Sequence, residues 1–144
     1  MKLLTVIEPV TNESPVIQSA FSMRGEQVVE VLDKLCCETE YLDYLQSDNG
    51  PEFRGRELAK WCEEHKVKQI FSRPGKPTDN CFIESCNGTF RHEFLNIYYF
   101  ENLSEAKQII ENWRLDYNQN QSQERLKGLT PSEYGNKILQ ENLI

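Results

Sequence analysis

Apolar positions along the chain fall into short blocks whose spacing switches between alternating and helical. "LLTVI" (3–7) and "PVIQSAF" (15–21) read as two strands joined by a turn around "EPVTNES". "GEQVVEVLDKLCCE" then places Val28, Val29, Val31, Leu32, Leu35 and Cys36 at helical spacing, which predicts a first helix. "YLDYLQ" is a brief third strand leading into Asp48, and "GRELAKWCEEH" puts Leu58, Trp61 and Cys62 on one face of a second helix. "VKQIFS" (67–72) is a fourth strand, ended by the loop "RPGKPTDN". A third helix is predicted over about 79–95, with Thr78 or Asp79 as its cap. A fourth, "SEAKQIIENWRLDYN", carries Ala106, Ile109, Ile110, Trp113 and Tyr117 on one face. In "TPSEY", Thr130 caps a last helix, Pro131 takes its first position, Glu133 closes a capping box, and Leu129 faces Tyr134 across the start. Strands first, then alternating elements, then helices, predict a mixed α/β layered domain.

Composition narrows this only a little. The 144 residues suit one domain with a reasonable core, and 38% hydrophobic content is that of a globular chain. No run reaches the length of a membrane span and "MKLLTVIEPV" is charged too soon for a secretory signal, so the expectation is a cytoplasmic protein with no membrane contact. Five cysteines, with only His65 and His92 beside them, show no zinc spacing and read as buried reduced thiols. The net charge of −7 argues against nucleic acid as a partner, but its distribution softens the argument. Residues 48–100 hold eight acids and eight bases, and Arg54, Arg56, Lys60, Lys66, Lys68, Arg73 and Lys76 cluster there. A solvated mixed surface would account for these bases equally well.

Two carboxylates stand out. In "QSDNGPEF" (46–53), Asp48 follows a strand and precedes Asn-Gly-Pro. A plain turn explains that arrangement, and so does a metal site, because a strand end followed by a turn fixes a carboxylate with its head free. Asn80, Glu84, Asn87 and Arg91 fall at i−4, i, i+3 and i+7, a polar stripe opposite Ile83, Cys86, Phe90 and Phe94. Solvent-facing stripes are usually richer in Lys and Glu, so this one suits a face that meets a ligand. The 35 residues between Asp48 and Glu84 leave room for helix, strand and loop, enough to bring the two acids together. Convergent carboxylates bind Mg²⁺, and a pair of such ions about 3.5–4 Å apart can activate both oxygens of an in-line phosphoryl displacement.

"SDNGPEF" and "PTDNCFIESCNGTFRHEFLN" at this separation resemble the integrase-core domain of insertion-element transposases of the orfB type, relatives of retroviral integrases. The resemblance extends through "RGEQVVEVLDKL", "RPGKP", "WRLDYN" and "GLTPSEY", nearly the whole chain. It implies a ribonuclease-H-like fold, a mixed five-stranded sheet flanked by helices, with residues 1–134 as the core and 135–144 as the end of the last helix and a tail. It also implies an Asp-Asp-Glu triad that holds two Mg²⁺ or Mn²⁺ ions, cuts DNA ends and joins them to a target. Asp48 matches the second Asp and Glu84 the Glu, as catalytic metal ligands. Lys76, Asn80, Asn87 and Arg91 are expected near the phosphates of the element's end, with Arg54 and Arg73 as further backbone contacts.

The resemblance is incomplete. The family's first Asp lies on a strand upstream of the segment that "LLTVI" resembles, so this chain reads as N-terminally truncated, lacking the first, central strand. Glu8 falls at the end of the next strand and is no substitute. "NQNQSQERLKG" and "EPVTNES" also depart from the family's usual residues. The resulting expectation is a transposase core inactive alone, acting on DNA as a homo-oligomer or beside a full-length transposase. A non-catalytic remnant that binds DNA or pairs with the intact enzyme is the alternative, and a chain without stable fold or role is the third.

Overall fold

The computed structural model describes residues 1–39 and 42–143. Four strands, β1 (Lys2–Val6), β2 (Val16–Ala20), β3 (Tyr44–Ser47) and β4 (Lys68–Phe71), alternate with helices. The longer helices are α1 (Gly25–Glu38), α3 (Arg56–Glu64), α4 (Cys81–Phe90), α5 (Leu103–Gln119) and α6 (Pro131–Asn142), and α2 (Pro51–Arg54) is a single turn. The predicted third strand began at Tyr41, which lies outside the described residues. No helix among the described residues is long and apolar enough to cross a membrane.

Among the described residues, the strands pair as two separate two-stranded sheets, β1 with β2 and β3 with β4. β1 and β3 are not hydrogen-bonded neighbours, although each has an edge to offer. The β3–β4 pair is parallel, running from Tyr44 opposite Lys68 to Ser47 opposite Phe71. Two flanking bonds, Lys68 N to Asp43 O and Ser72 N to Ser47 O, each 2.8 Å, lengthen the ladder at both ends. The second of these fixes the chain immediately before Asp48 against the start of the following loop.

The chain forms two compact units. Residues 1–4 and 20–81 make the first, and 5–19 with 82–144 the second. In the first, α1 packs on α2 and α3, and α3 on β4. Val28, Val31, Leu32 and Leu35 of α1 are buried, as are Leu58, Trp61 and Cys62 of α3, which matches the apolar spacing of both segments. Trp61 adds a polar tie, its indole N–H donating to Asp33 Oδ1 at 2.6 Å.

In the second unit an aromatic file supports α4. Phe90 stacks on Phe94 (4.9 Å between centroids) and meets Trp113 of α5 edge-on (4.8 Å), and Trp113 stacks on Tyr117 (5.1 Å). The loop after β1 is pinned to α5 by polar groups. The Ser14 backbone N–H donates to Asn118 Oδ1, and Ser14 O accepts from Asn118 Nδ2 and Arg114 Nη1, each at 2.8 Å. Glu8 spends its carboxylate inside this loop, accepting from the Val10 and Thr11 N–H groups and the Thr11 hydroxyl. The capping box of α6 forms as its sequence predicts: Thr130 Oγ1 accepts from Glu133 N at 3.2 Å, and Glu133 Oε2 from Thr130 N at 2.8 Å.

Several expectations need correction. The third helix is composite: a 3₁₀ turn (Pro77–Asn80), then α4, then a π turn (Arg91–Leu95) marked by Asn96 N donating to Arg91 O. Neither Thr78 nor Asp79 caps it, because Asp79 meets a guanidinium, a stronger donor than a neutral backbone N–H. Of the five free cysteines only Cys62 and Cys86 are buried; Cys37 and Cys81 are exposed.

Candidate functional site

Asp48 follows β3 directly and is exposed. Its Oδ1 accepts the Gly50 N–H at 2.8 Å, closing a turn on its own side chain, while Oδ2 accepts no hydrogen bond from a described residue. Gly50 leaves room for this approach: a Cβ there would lie 2.9 Å from Asp48 Oδ1 and 3.1 Å from Glu52 Oε1 and would press on both side chains. Glu52, on the single turn α2, therefore brings a second carboxylate to the same turn. Sequence reasoning passed over it, although "DNGPE" spaces the two acids four residues apart.

A set of hydrogen bonds joins this turn to the loop after β4. Asn49 Nδ2 donates to Ser72 O at 3.0 Å, Ser72 Oγ to Asn80 Oδ1 at 2.5 Å, and Gln46 Nε2 to Asp79 O at 2.6 Å. The loop is also closed on itself. Arg73 grips Asp79 through its backbone N–H and Nε to Oδ2 (3.0 Å each) and Nη2 to Oδ1 (2.9 Å). That hydrogen bonding and charge hold the Asp79 carboxyl far below the usual carboxylate range. Gly75, at φ 71°, makes the tight bend between Pro74 and Lys76. Lys76 is exposed near the bend, and its Nζ has no hydrogen bond or ion pair with a described residue.

The basic residues singled out from sequence therefore differ. Arg54 is committed to Asn49 Oδ1 through Nη2 (2.6 Å) and Nε (3.2 Å) and lies over the Phe71 ring. Arg73 is committed to Asp79, and Asn80 to Ser72. Of the residues that organise this corner, Gln46, Asn49 and Ser72 carried no separate signal, and Asp79 was marked only as a helix cap. Their partners lie up to 33 residues apart and emerge only with the fold.

In the second unit, Glu84 sits in the first turn of α4, exposed, with no hydrogen bond or ion pair to a described residue. The side chains of Asn87 and Arg91 make none either. The four-residue stripe is not one helical face: Asn80 lies in the 3₁₀ turn and Arg91 opens the π turn, so only Glu84 and Asn87 share α4 proper. The opposite face carries buried Cys86, Phe90 and Phe94, as the apolar pattern predicts. Burial pushes the Cys86 thiol up to about 11, and it shares a hydrogen bond with Tyr117.

Exposed carboxylates are hard oxygen donors suited to Mg²⁺ or Mn²⁺, and the open Oδ2 of Asp48 fits such an ion. The described residues gather no group of three or more His, Cys, Asp or Glu able to hold a metal. Each of the two exposed carboxylates, Asp48 and Glu84, fits such an ion by its donor chemistry.

This arrangement belongs to a known class. The Integrase core domain profile matches residues 1–77 and, in a second form, residues 65–131, and the chain belongs to that family. The insertion element IS476 uncharacterized 39.2 kDa protein of Xanthomonas euvesicatoria is 37% identical over 134 residues, 93% of this chain and 39% of that protein. The putative transposase InsK for insertion sequence element IS150 of Escherichia coli K12 is 38% identical over 93 residues, 65% of this chain and 33% of the relative. The chain thus spans less than half the length of these two relatives. The fold is that of the ribonuclease-H-like integrase core: the catalytic core domain of BIV integrase superposes with a TM-score of 0.74 at 16% identity, over 97% of this chain and 89% of that one.

Proposed function

We propose that this chain serves DNA transposition as the catalytic-core domain of an insertion-element transposase, with Asp48 and Glu84 as ligands for Mg²⁺ or Mn²⁺. The observation that carries the reading is the presentation of Asp48. In a member of the integrase core family, an exposed carboxylate at a strand end is held by a glycine turn and keeps one oxygen open. When bound, the ions supply Lewis acidity toward the phosphodiester and an activated nucleophile. The chain's own residues have simpler tasks. Asp48 and Glu84 offer oxygens, Lys76, Asn87 and Arg91 would meet phosphates of the DNA backbone, and the turn and loop around Asp48 keep its head in place. Binding would be largely electrostatic and salt-dependent.

The 144 residues by themselves are expected not to join DNA ends, because two carboxylates hold two ions poorly. A second reading is favoured by the same shortage of ligands: a non-catalytic domain that binds DNA, or pairs with another copy or with a full-length transposase. Mn²⁺ titration of the wild-type chain beside Asp48→Asn and Glu84→Gln separates the two. The catalytic-core reading expects each substitution to weaken Mn²⁺ by at least about tenfold with unchanged circular dichroism. Equal Mn²⁺ affinity in all three chains would leave the non-catalytic reading.

A further inference from the structure

The sequence offers Arg73 as a cation for DNA phosphate, and the geometry points to a different role. We infer that Arg73 and Asp79 form a clamp that closes the 72–80 loop before any ligand arrives, so that Arg73 is a positioning residue and Lys76 is the cation the loop presents. This deepens the DNA-binding reading above and, for its DNA arm, rests on it.

Three hydrogen bonds converge on one carboxylate from one residue, two from the guanidinium fork and one from the Arg73 backbone. Arginine and carboxylate planes match in such a fork, which fixes orientation as well as distance. The Asp79 side chain is 16% exposed and that of Arg73 69%, so the acid is the inner member and the arginine lies over it. A guanidinium that has spent Nε and Nη2 this way has its charge answered, and a phosphate would have to displace Asp79 to take it.

The rest of the loop is built around the clamp. Between the two residues stand Pro74 and Pro77, which lack N–H groups, and Gly75 at positive φ. Two of the other amides bond within the loop: Lys76 N to Arg73 O at 3.2 Å and Asp79 N to Lys76 O at 3.1 Å. The same segment is held from outside by Gln46 at Asp79 O and by Ser72 at Asn80. Arg73, Lys76 and Asp79 sum to one positive charge; Asp79 feels Lys76 as well, but its ion pair is with Arg73, and the exposed ammonium of Lys76 displays the net charge.

The test compares Arg73→Lys, Asp79→Asn and the double variant with the wild-type chain in two assays. Hydrogen exchange at the 73, 76 and 79 amides reads the clamp without DNA. Each single variant is expected to lose protection by about tenfold, and the double no more than either single, as for residues acting as one unit. Unchanged protection in the single variants overturns the clamp. Affinity for a short mixed-sequence DNA duplex at several salt concentrations reads the role. A clamp predicts that Asp79→Asn weakens binding by about threefold to tenfold although it removes a negative charge, and that Arg73→Lys weakens it equally although it keeps a positive one. Tighter binding by Asp79→Asn, or wild-type binding by Arg73→Lys, overturns the proposal and restores Arg73 as a phosphate contact. Should the wild-type chain bind no duplex, the DNA-binding reading fails, and hydrogen exchange alone then upholds or overturns the clamp.

Discussion

Asp48 and Glu84 are both exposed carboxylates, yet the chain holds them by opposite means. Asp48 stands in a corner built of polar groups: Gly50 donates to it, and Asn49, Gln46 and Ser72 tie its turn to the next loop. Glu84 has no such partners. Its helix is held from behind, with Cys86 and Phe90 buried, Phe90 against Trp113 of α5 and stacked on Phe94, and Glu84 itself is exposed. A polar lattice fixes the direction of a side chain but depends on each donor. An apolar backing fixes the helix and leaves the side chain free to meet a ligand. Substitutions should therefore act differently in the two regions: removing apolar bulk behind Glu84 costs stability, whereas disturbing the Asp48 corner costs geometry.

Phe90→Ala should give the largest effect. The ring is 2% exposed and packed between Phe94 and Trp113, so truncation should cost about 3–5 kcal/mol in urea unfolding. A loss below about 1 kcal/mol would mean that the aromatic file is not what supports α4.

Alkaline pH probes the same backing more gently. Burial raises the Cys86 thiol from 9.0 to about 11, and burial likewise raises its neighbour Tyr117. Between pH 9.0 and about 11 the folded chain keeps a proton at Cys86 that the unfolded chain has released, so this group makes stability fall as pH rises through that window. The fall should be shallower in Cys86→Ala. Equal slopes in the two chains would remove Cys86 as the cause.

On the polar side, Gly50→Ala should cost only about 1 kcal/mol of stability, because its φ of −58° suits alanine and one hydrogen bond is disturbed. The added Cβ would press on Asp48 Oδ1, so Mn²⁺ affinity should fall by about tenfold. Wild-type Mn²⁺ affinity in Gly50→Ala would show that this turn does not aim the carboxylate. Glu84→Gln should change unfolding stability least, by no more than about 0.5 kcal/mol, since its exposed carboxylate makes no hydrogen bond or ion pair with a described residue.

What could be read from the sequence divides along the same line. Apolar spacing identified α1 to its ends, the buried stripe of α5 and the cap of α6, because burial and capping are local patterns of residue type. β1, β2 and β4 fell within a residue or so of their places, whereas β3 begins only at Tyr44, inside the segment read as strand. The 3₁₀ entry and π exit of α4 were not readable, since periodicity alone does not say where a helix tightens or loosens. Asp48 was singled out by its turn signature, but the residues that hold it were not. Arg54 and Arg73 looked like free cations because a sequence shows charge without showing its partner. Asn49 and Asp79 supply those partners from five and six residues away, and only the path of each turn decides that they meet.

The most direct test of the central claim is a crystal structure of the chain soaked in Mn²⁺, with anomalous diffraction at the manganese edge. The proposed function predicts an anomalous peak bonded to carboxylate oxygens of Asp48 and of Glu84 at the short distances of hard-ion coordination. Peaks on other residues only, with none at Asp48 or Glu84, would contradict it.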